Sequence, residues 1–210
     1  MIIINSVVLW VIISMSINTY LMTLPIPVIR KKDFPTTYMI QHENRIDFQK
    51  GTECAAFSTA YLLRHFGKDA EGDALYKHFP NKTRAGNVYP KGIRTVLRNY
   101  GFKTKYYKGN INTLKSEVSK GTPVIVFIKV QKNLKNLHFV PVVGYDKEYI
   151  YLSESLSHLV NDEEEQKNYN RKVPIEEFKI LWDVKRIHTL PYSNTYIAVD
   201  VNTCPPELGS

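Results

Sequence analysis

The fold of this chain is set by the stretch Gln49-Lys-Gly-Thr-Glu-Cys54-Ala-Ala-Phe-Ser-Thr-Ala-Tyr-Leu-Leu-Arg-His-Phe66. Apolar residues after Cys54 recur at three- and four-residue spacing, which predicts a helix over residues 54–66. Thr52 is the expected N-cap of this helix, and Gly67 is its expected stop. The helix therefore begins close to a thiol, and a glutamine amide precedes it.

Cys54 is a candidate nucleophile because of its place in this helix. The partial positive charge at a helix N-terminus favours the thiolate, which is the reactive form of cysteine. A free cysteine at a helix start is nevertheless more often a buried core residue. The residues that the fold brings near Cys54 must therefore decide between these two interpretations.

Three polar residues could complete a site around this thiol. Gln49 lies five residues upstream, where a loop could fold its amide back to hold a developing oxyanion. His138 begins the apolar run His-Phe-Val-Pro-Val-Val-Gly144 and could act as a base. Glu154 follows in Leu-Ser-Glu-Ser, and a hairpin would return it beside His138 to orient the imidazole. Each has an ordinary alternative: a loop glutamine, a surface or core histidine, and an exposed carboxylate at a strand end.

Helical patterns come first in the chain and strand patterns second. Further helices are predicted over residues 69–79, 92–99, 111–120 and 174–182. Strands are predicted over residues 103–107, 123–130, 137–144, 149–152 and 195–201, and a charged surface loop over residues 156–172. Pro141 favours an edge position or a bulge for its strand. This order indicates an α+β domain with a largely antiparallel sheet.

The order and spacing of these residues resemble a known enzyme family. The segments that carry the resemblance are Gln49, Cys54-Ala-Ala-Phe57, Lys120-Gly-Thr-Pro-Val-Ile-Val126, His138-Phe-Val-Pro-Val-Val-Gly-Tyr-Asp146 and Glu154-Ser155. They are similar to papain-like cysteine peptidases of the bacteriocin-processing (double-glycine-leader) type and their stand-alone relatives, over residues 45 to about 185.

This resemblance implies a fold and an activity. The fold would be papain-like, with the nucleophile helix packed on an antiparallel sheet that carries the histidine. The activity would be peptide-bond hydrolysis by a thiol peptidase acting on a peptide or protein substrate. Cys54 would be the nucleophile, His138 the general base and acid, Gln49 the oxyanion donor and Glu154 the residue that orients the histidine.

The chain departs from this family pattern at three points. Ala55 stands where the family usually has glycine, and Glu154-Ser155 stands where it usually has aspartate, often followed by proline. The phosphate-binding loop and multispanning region of the transporter-linked members are not found, so cleavage of double-glycine leaders is not implied. Two alternatives stay open: a catalytically inactive papain-like binding module, and a thiol acyltransferase or amidase with the same site.

The N-terminal residues form a separate apolar segment. Residues 2–22 carry no charge and approach the length of about 20 residues with which a helix crosses a bilayer. We therefore expect a signal or membrane anchor over residues 1–29, a linker over residues 30–37 and the peptidase domain over residues 38–210. The protein is expected to be membrane-anchored or secreted. The three basic residues at 30–32 favour a cytoplasmic domain, whereas an export signal favours the extracytoplasmic side, which we prefer.

Composition narrows the possible partners and cofactors. The net charge is +8, but the basic residues are scattered and do not alternate with aromatic residues, so no nucleic-acid partner is expected. Cys54 and Cys204 are too few for a disulfide framework, and they could pair only if the C-terminal segment folded back onto the helix start. Neither the cysteines nor the histidines have zinc-ligand spacing, and the acidic run at residues 162–165 lacks the pattern of a calcium loop. We expect no metal and no cofactor.

Overall fold

The computed structural model describes residues 6–22, 24–28, 33–133, 136–162, 168–184 and 193–200. Its helices are α1 (Ser6–Met22), α2 (Cys54–His65), α3 (Gly72–Lys77), α4 (Pro90–Asn99), α5 (Ile111–Val118) and α6 (Ile175–Trp182). Its strands are β1 (Ile26–Pro27), β2 (Tyr38–Met39), β3 (Thr104–Lys108), β4 (Val124–Lys129), β5 (Leu137–Tyr145), β6 (Tyr149–Leu152), β7 (Arg171–Pro174) and β8 (Thr195–Val199). A short 3-10 helix covers Ser157–Leu159.

The strands form one sheet in the order β1-β3-β8-β4-β5-β6-β7, and β2 pairs with β5 in addition. All of these pairings are antiparallel except the pairing of β1 with β3. Helix α2 packs against β5 near the middle of the sheet. The predicted α+β class, with the cysteine helix on an antiparallel sheet, is confirmed.

The sheet has an apolar core on each face. Successive side chains of β4 alternate between the two cores, because side chains of a strand point to opposite faces. Ile125 and Phe127 join the core beneath α2 and α4, whereas Val124 and Val126 join the core beneath α5 and α6. Burial on both faces explains why this strand is a continuous apolar run.

Strand β7 lies where the sequence predicts a surface loop, and that prediction is wrong for residues 171–172. The strand pairs with β6, which places Arg171 opposite Leu152. Side chains alternate along it, so that Arg171 and Val173 are buried while Lys172 is exposed. The extra strand brings a buried cation to the end of β6, close to Glu154.

Pro141 lies in a central strand, between β4 and β6, so the predicted edge position is wrong. The carbonyl of Pro141 accepts the backbone N–H of Ser153 at 3.0 Å, just beyond the end of β6. The N–H and C=O of a strand residue face the same side, so the N–H that proline lacks would also have faced β6. The hydrogen-bonded pairing of β5 with β6 has already ended at this position. The pairing of β5 with β6 is also irregular between Val142 and Gly144, which agrees with the predicted bulge.

The N-terminal segment contributes to the sheet. Strand β1 lies within the segment assigned above to a signal or anchor, and the N–H of Val28 donates to Lys108 O at 2.8 Å beyond it. Within the described part of the chain, no helix is both long enough and apolar enough to cross a membrane. The predictions that concern residues 30–32, residues 163–165 and Cys204 fall outside the described residues.

Candidate active site

Cys54 is the first residue of α2, and its side chain is a half-buried free thiol. The N-cap is Glu53 and not the predicted Thr52: the Glu53 carbonyl accepts the N–H groups of Ala56 and Phe57. The hydroxyl of Thr52 contacts the Tyr76 hydroxyl instead. The backbone N–H of Cys54 belongs to the first helical turn, where N–H groups have no partner within the helix. The Cys54 thiol and the Cys54 backbone N–H, a possible oxyanion donor, therefore both lie at the start of α2.

His138 approaches this thiol from the sheet. It is the second residue of β5, pairs with Ile128 of β4 and is 1% exposed. The hydroxyl of Ser58 in α2 donates to the carbonyl of Phe139 at 2.9 Å, which ties the helix to the strand beside the histidine. The Cys54 side chain lies close enough to the His138 ring to interact with it, and this interaction raises the pKa of His138.

Glu154 lies on the other side of the imidazole. Its Oε1 atom is 2.7 Å from His138 Nε2, which leaves Nδ1 as the ring nitrogen that faces the thiol. Its Oε2 atom accepts a hydrogen bond from Arg171 Nη1 at 2.9 Å. All three side chains are buried. A line of contacts therefore runs from the thiol through imidazole and carboxylate to guanidinium.

The backbone around Glu154 is held as firmly as its side chain. Asn170 binds both backbone groups of Glu154: its Oδ1 accepts the N–H at 2.7 Å, and its Nδ2 donates to the carbonyl at 2.9 Å. The N–H of Leu156 donates to Glu154 Oε1 at 2.8 Å. The carboxylate is therefore fixed before any substrate binds, as catalysis by prearranged charges requires.

Opposite charges at the centre of the site stabilise each other. Burial lowers the pKa of His138, but the charge of Glu154 and hydrogen bonds with Cys54 and Glu154 outweigh burial and raise the pKa to about 10. Burial raises the pKa of Glu154, but His138 and Arg171 outweigh it and lower the pKa from 4.5 to about 2. Both shifts favour the charged forms of the pair, an imidazolium and a carboxylate.

Gln49 lies in the loop before α2 and is tied to the residue after Glu154. Its backbone N–H donates to Ser155 O at 2.9 Å, and its Oε1 accepts the Ser155 hydroxyl at 2.7 Å. Its Nε2 donates to the carbonyl of Gly51 at 2.6 Å. The amide is thus held between the cysteine loop and the loop that carries the carboxylate.

Comparison with known proteins identifies the family. Residues 25–186 match the family described as the Peptidase_C39 like family. The chain belongs to this family. Its members are cysteine peptidases, and this protein is accordingly a cysteine peptidase, a thiol hydrolase. No curated protein sequence matches the chain significantly.

Solved structures show the fold of this C39-like peptidase. A C39-like peptidase from Bacillus anthracis is 16% identical, with a TM-score of 0.58, and the match covers 79% of this chain and 98% of that chain. A double glycine motif protease from an AMS/PCAT transporter, in complex with the leader peptide, is 18% identical, with a TM-score of 0.51 and the same coverages. A cysteine protease of Carica candamarcensis is 12% identical, with a TM-score of 0.51, covering 79% of this chain and 98% of that chain. The predicted papain-like fold is confirmed.

In this C39-like peptidase, the residues singled out from the sequence lie together. His138 interacts with Cys54 and is hydrogen-bonded to Glu154, and Gln49 joins them through Ser155. The alternative of an exposed carboxylate at 154 is wrong, because Glu154 has no exposed surface. Among the described residues, no group of three or more His, Cys, Asp or Glu side chains could hold a metal ion.

Three residues that hold the site together are not apparent from the sequence: Ser155, Asn170 and Arg171. Their roles depend on the pairing of β7 with β6 and on the loop after β6, which place them around Glu154. The local sequence gives no strand signal here: Arg-Lys-Val-Pro174 has two polar residues followed by two apolar ones, and a strand is predicted by their alternation.

Proposed function

We propose that Cys54, His138, Glu154 and Gln49 carry out peptide-bond hydrolysis in this peptidase. The observation that carries the proposal is the buried His138–Glu154 hydrogen bond of 2.7 Å, on an imidazole that interacts with the Cys54 thiol. A thiol merely packed in the core would not need a buried imidazole whose second nitrogen is held by a carboxylate. The substrate is a peptide or protein, a class supported by the leader peptide bound to the AMS/PCAT protease.

Acylation is the first chemical step. The Cys54 thiolate attacks the carbonyl carbon of the peptide bond, and an S–C bond forms while an electron pair moves onto the carbonyl oxygen. A side-chain N–H of Gln49 and the backbone N–H of Cys54 stabilise this oxyanion. When the electron pair returns, the C–N bond breaks, and His138 gives its Nδ1 proton to the leaving nitrogen.

Hydrolysis of the thioester is the second step. The neutral His138 takes a proton from a water molecule, whose oxygen attacks the thioester carbon. The S–C bond then breaks, the carboxylic acid leaves, and the thiolate and imidazolium are restored. Glu154 keeps its charge throughout and stabilises the imidazolium whenever it forms.

The direct test compares wild-type protein with the Cys54→Ala variant on a defined mixture of peptides. Mass spectrometry should find cleavage products with the wild type and with Cys204→Ala, but not with Cys54→Ala. Cleavage by the Cys54→Ala variant would refute the proposal. The same incubation, repeated with added hydroxylamine, distinguishes a peptidase from an acyltransferase. Hydroxamate products with hydroxylamine, together with little hydrolysis without hydroxylamine, would favour the acyltransferase alternative.

The cellular location stays a proposal of the same kind. We propose that the protein is membrane-anchored or secreted, with its domain on the extracytoplasmic side, and that residues 1–29 serve as signal or anchor, because residues 2–22 are uncharged and have about the length of a membrane-crossing helix, about 20 residues. Fusion of a reporter that is active on only one side of the membrane tests this. Activity only in the cytoplasm would refute it.

A further inference from the structure

Ser155 connects the oxyanion donor of the proposed site to the carboxylate side. It directly follows Glu154 and is 6% exposed. Its carbonyl accepts the backbone N–H of Gln49 at 2.9 Å, and its hydroxyl lies 2.7 Å from Gln49 Oε1. Two hydrogen bonds therefore join Gln49 and Ser155, although 106 positions separate them.

These contacts fix which way the Gln49 amide faces. The carbonyl of Gly51 can only accept, so the amide atom 2.6 Å from it must be the nitrogen. The oxygen is then the atom beside Ser155, and the hydroxyl of Ser155 must donate to it. The amide nitrogen has two N–H groups and gives one to Gly51. The second remains for the oxyanion only while the amide keeps this orientation.

Without the Ser155 hydroxyl, the amide could rotate. A glutamine side chain has three rotatable bonds, and the Gly51 carbonyl alone would hold only one end of the amide. Replacement of Ser155 by alanine would also take away the hydrogen-bond donor to Oε1, which favours other rotamers of Gln49. The hydrogen bond from Ser155 thus keeps the donor prearranged, which is the condition under which an oxyanion donor accelerates a reaction.

We propose that Ser155 is a positioning residue for Gln49 and acts on formation of the tetrahedral intermediate, not on thiolate formation. This rests on the proposed function of Cys54 and Gln49. The dipeptide Glu154-Ser155 then serves both halves of the site, since Glu154 orients the imidazole and Ser155 orients the oxyanion donor. The role of Ser155 can be measured separately from that of Glu154, because only some reactions of the thiol form an oxyanion.

Two reagents that react with the same thiol separate them. With p-nitrophenyl acetate, the Cys54 sulfur attacks a carbonyl carbon, an oxyanion develops, and the C–O bond then breaks to release p-nitrophenolate. With iodoacetamide, the sulfur displaces iodide from a saturated carbon, and no oxyanion forms. All proteins in this test carry Cys204→Ala, so that Cys54 is the single thiol of the chain. The ratio of the acetylation rate to the alkylation rate then measures the oxyanion site alone.

Ser155→Ala should lower the acetylation rate about tenfold and leave the alkylation rate unchanged, whereas Ser155→Thr should restore most of the loss. Gln49→Ala should lower acetylation by about 100-fold. Ser155→Ala should have no further effect in the Gln49→Ala background, because both changes remove the same donor. Ser153→Ala, which removes a buried hydroxyl two positions before Ser155, is the matched control and should leave the ratio unchanged.

Three results would overturn the proposal. Acetylation by Ser155→Ala at the wild-type rate would show that the hydroxyl is dispensable. Equal losses in acetylation and alkylation would show a structural role only. Additive losses in the double variant would separate Ser155 from Gln49. If the protein with only the Cys204→Ala change reacts with neither reagent faster than free cysteine, the proposed function itself fails, and Ser155 falls with it.

Discussion

Glu154 Oε1 lies 2.7 Å from His138 Nε2, and both side chains are excluded from solvent. A buried carboxylate is costly unless it is paired and hydrogen-bonded, and Glu154 meets both conditions through His138, Arg171 and the N–H of Leu156. One carboxylate oxygen contacts His138 and the other contacts Arg171. Glu154 therefore links the proposed catalytic site to the stability of the fold.

Changing Glu154 should impair peptide cleavage. Glu154→Gln keeps the shape but removes the charge, so His138 loses the group that favours its imidazolium. We expect kcat/KM for a peptide substrate to fall about 100-fold. Glu154→Asp should also be impaired, because the shorter side chain cannot contact His138 and Arg171 together. Wild-type activity in Glu154→Gln would contradict the assigned role.

Removal of Arg171 should destabilise the fold. Arg171→Met leaves Glu154 with one buried cation instead of two, and we expect the free energy of unfolding to fall by about 3 kcal/mol in urea titrations. Lys172→Met is the matched control. Lys172 is exposed and lies 3.9 Å from Asp162, so its loss should cost less than about 1 kcal/mol. Equal effects of both substitutions would show that burial of the Arg171–Glu154 pair does not matter.

The histidine–glutamate pair should make stability depend on pH. The pKa of His138 is raised from 6.5 to about 10, so its contribution is complete below pH 6.5 and is lost as pH rises towards 10. The pKa of Glu154 is lowered from 4.5 to about 2, so its contribution is complete above pH 4.5 and is lost as pH falls towards 2. The difference in unfolding free energy between wild type and Glu154→Gln should be largest between these limits, at pH 4.5–6.5. A difference independent of pH would refute the pairing.

The raised pKa of His138 also predicts an alkaline limit of activity. The leaving nitrogen needs the Nδ1 proton, and the imidazolium loses its proton as pH rises through about 10. The rate of peptide cleavage should therefore decline there and not near pH 6.5, the ordinary value for histidine. The pH profile of kcat/KM, restricted to the range in which circular dichroism shows a folded protein, measures this. A decline centred near pH 6.5 would show that Glu154 does not hold the imidazolium.

Much of the fold follows from the sequence because periodicity reports burial. Residues 54–66 predict α2 and residues 123–130 predict β4, since a helix with one buried face and a strand with two have distinct apolar patterns. Strand β7 has no such pattern, because one of its buried residues is Arg171. An arginine is expected at the surface unless a buried partner such as Glu154 is known. Pro141 misleads for a related reason: a proline is tolerated in a central strand when its missing donor faces the end of a neighbouring strand.

The sequence predicts those residues of the candidate site whose side chains have a direct chemical role in the proposed reaction. Cys54 at a helix start, Gln49 before it and His138 on a strand are informative as a combination, because each of them alone has an ordinary structural explanation. Ser155, Asn170 and Arg171 are not, because serine, asparagine and arginine are common in loops and their significance lies in contacts with Glu154 and Gln49. Such contacts depend on strand register, which the local sequence does not specify for a short strand such as β7.

The proposed chemistry depends above all on activation of the Cys54 thiol by His138. This activation is measured by the rate at which iodoacetamide alkylates each cysteine of the folded protein, resolved by peptide mass spectrometry, in wild type and in His138→Ala. We predict that Cys54 reacts at least about tenfold faster than Cys204 in the wild type, and that His138→Ala removes most of this advantage. Equal slow alkylation of the two cysteines in the wild type, or an unchanged rate at Cys54 in His138→Ala, would contradict activation of the thiol by His138.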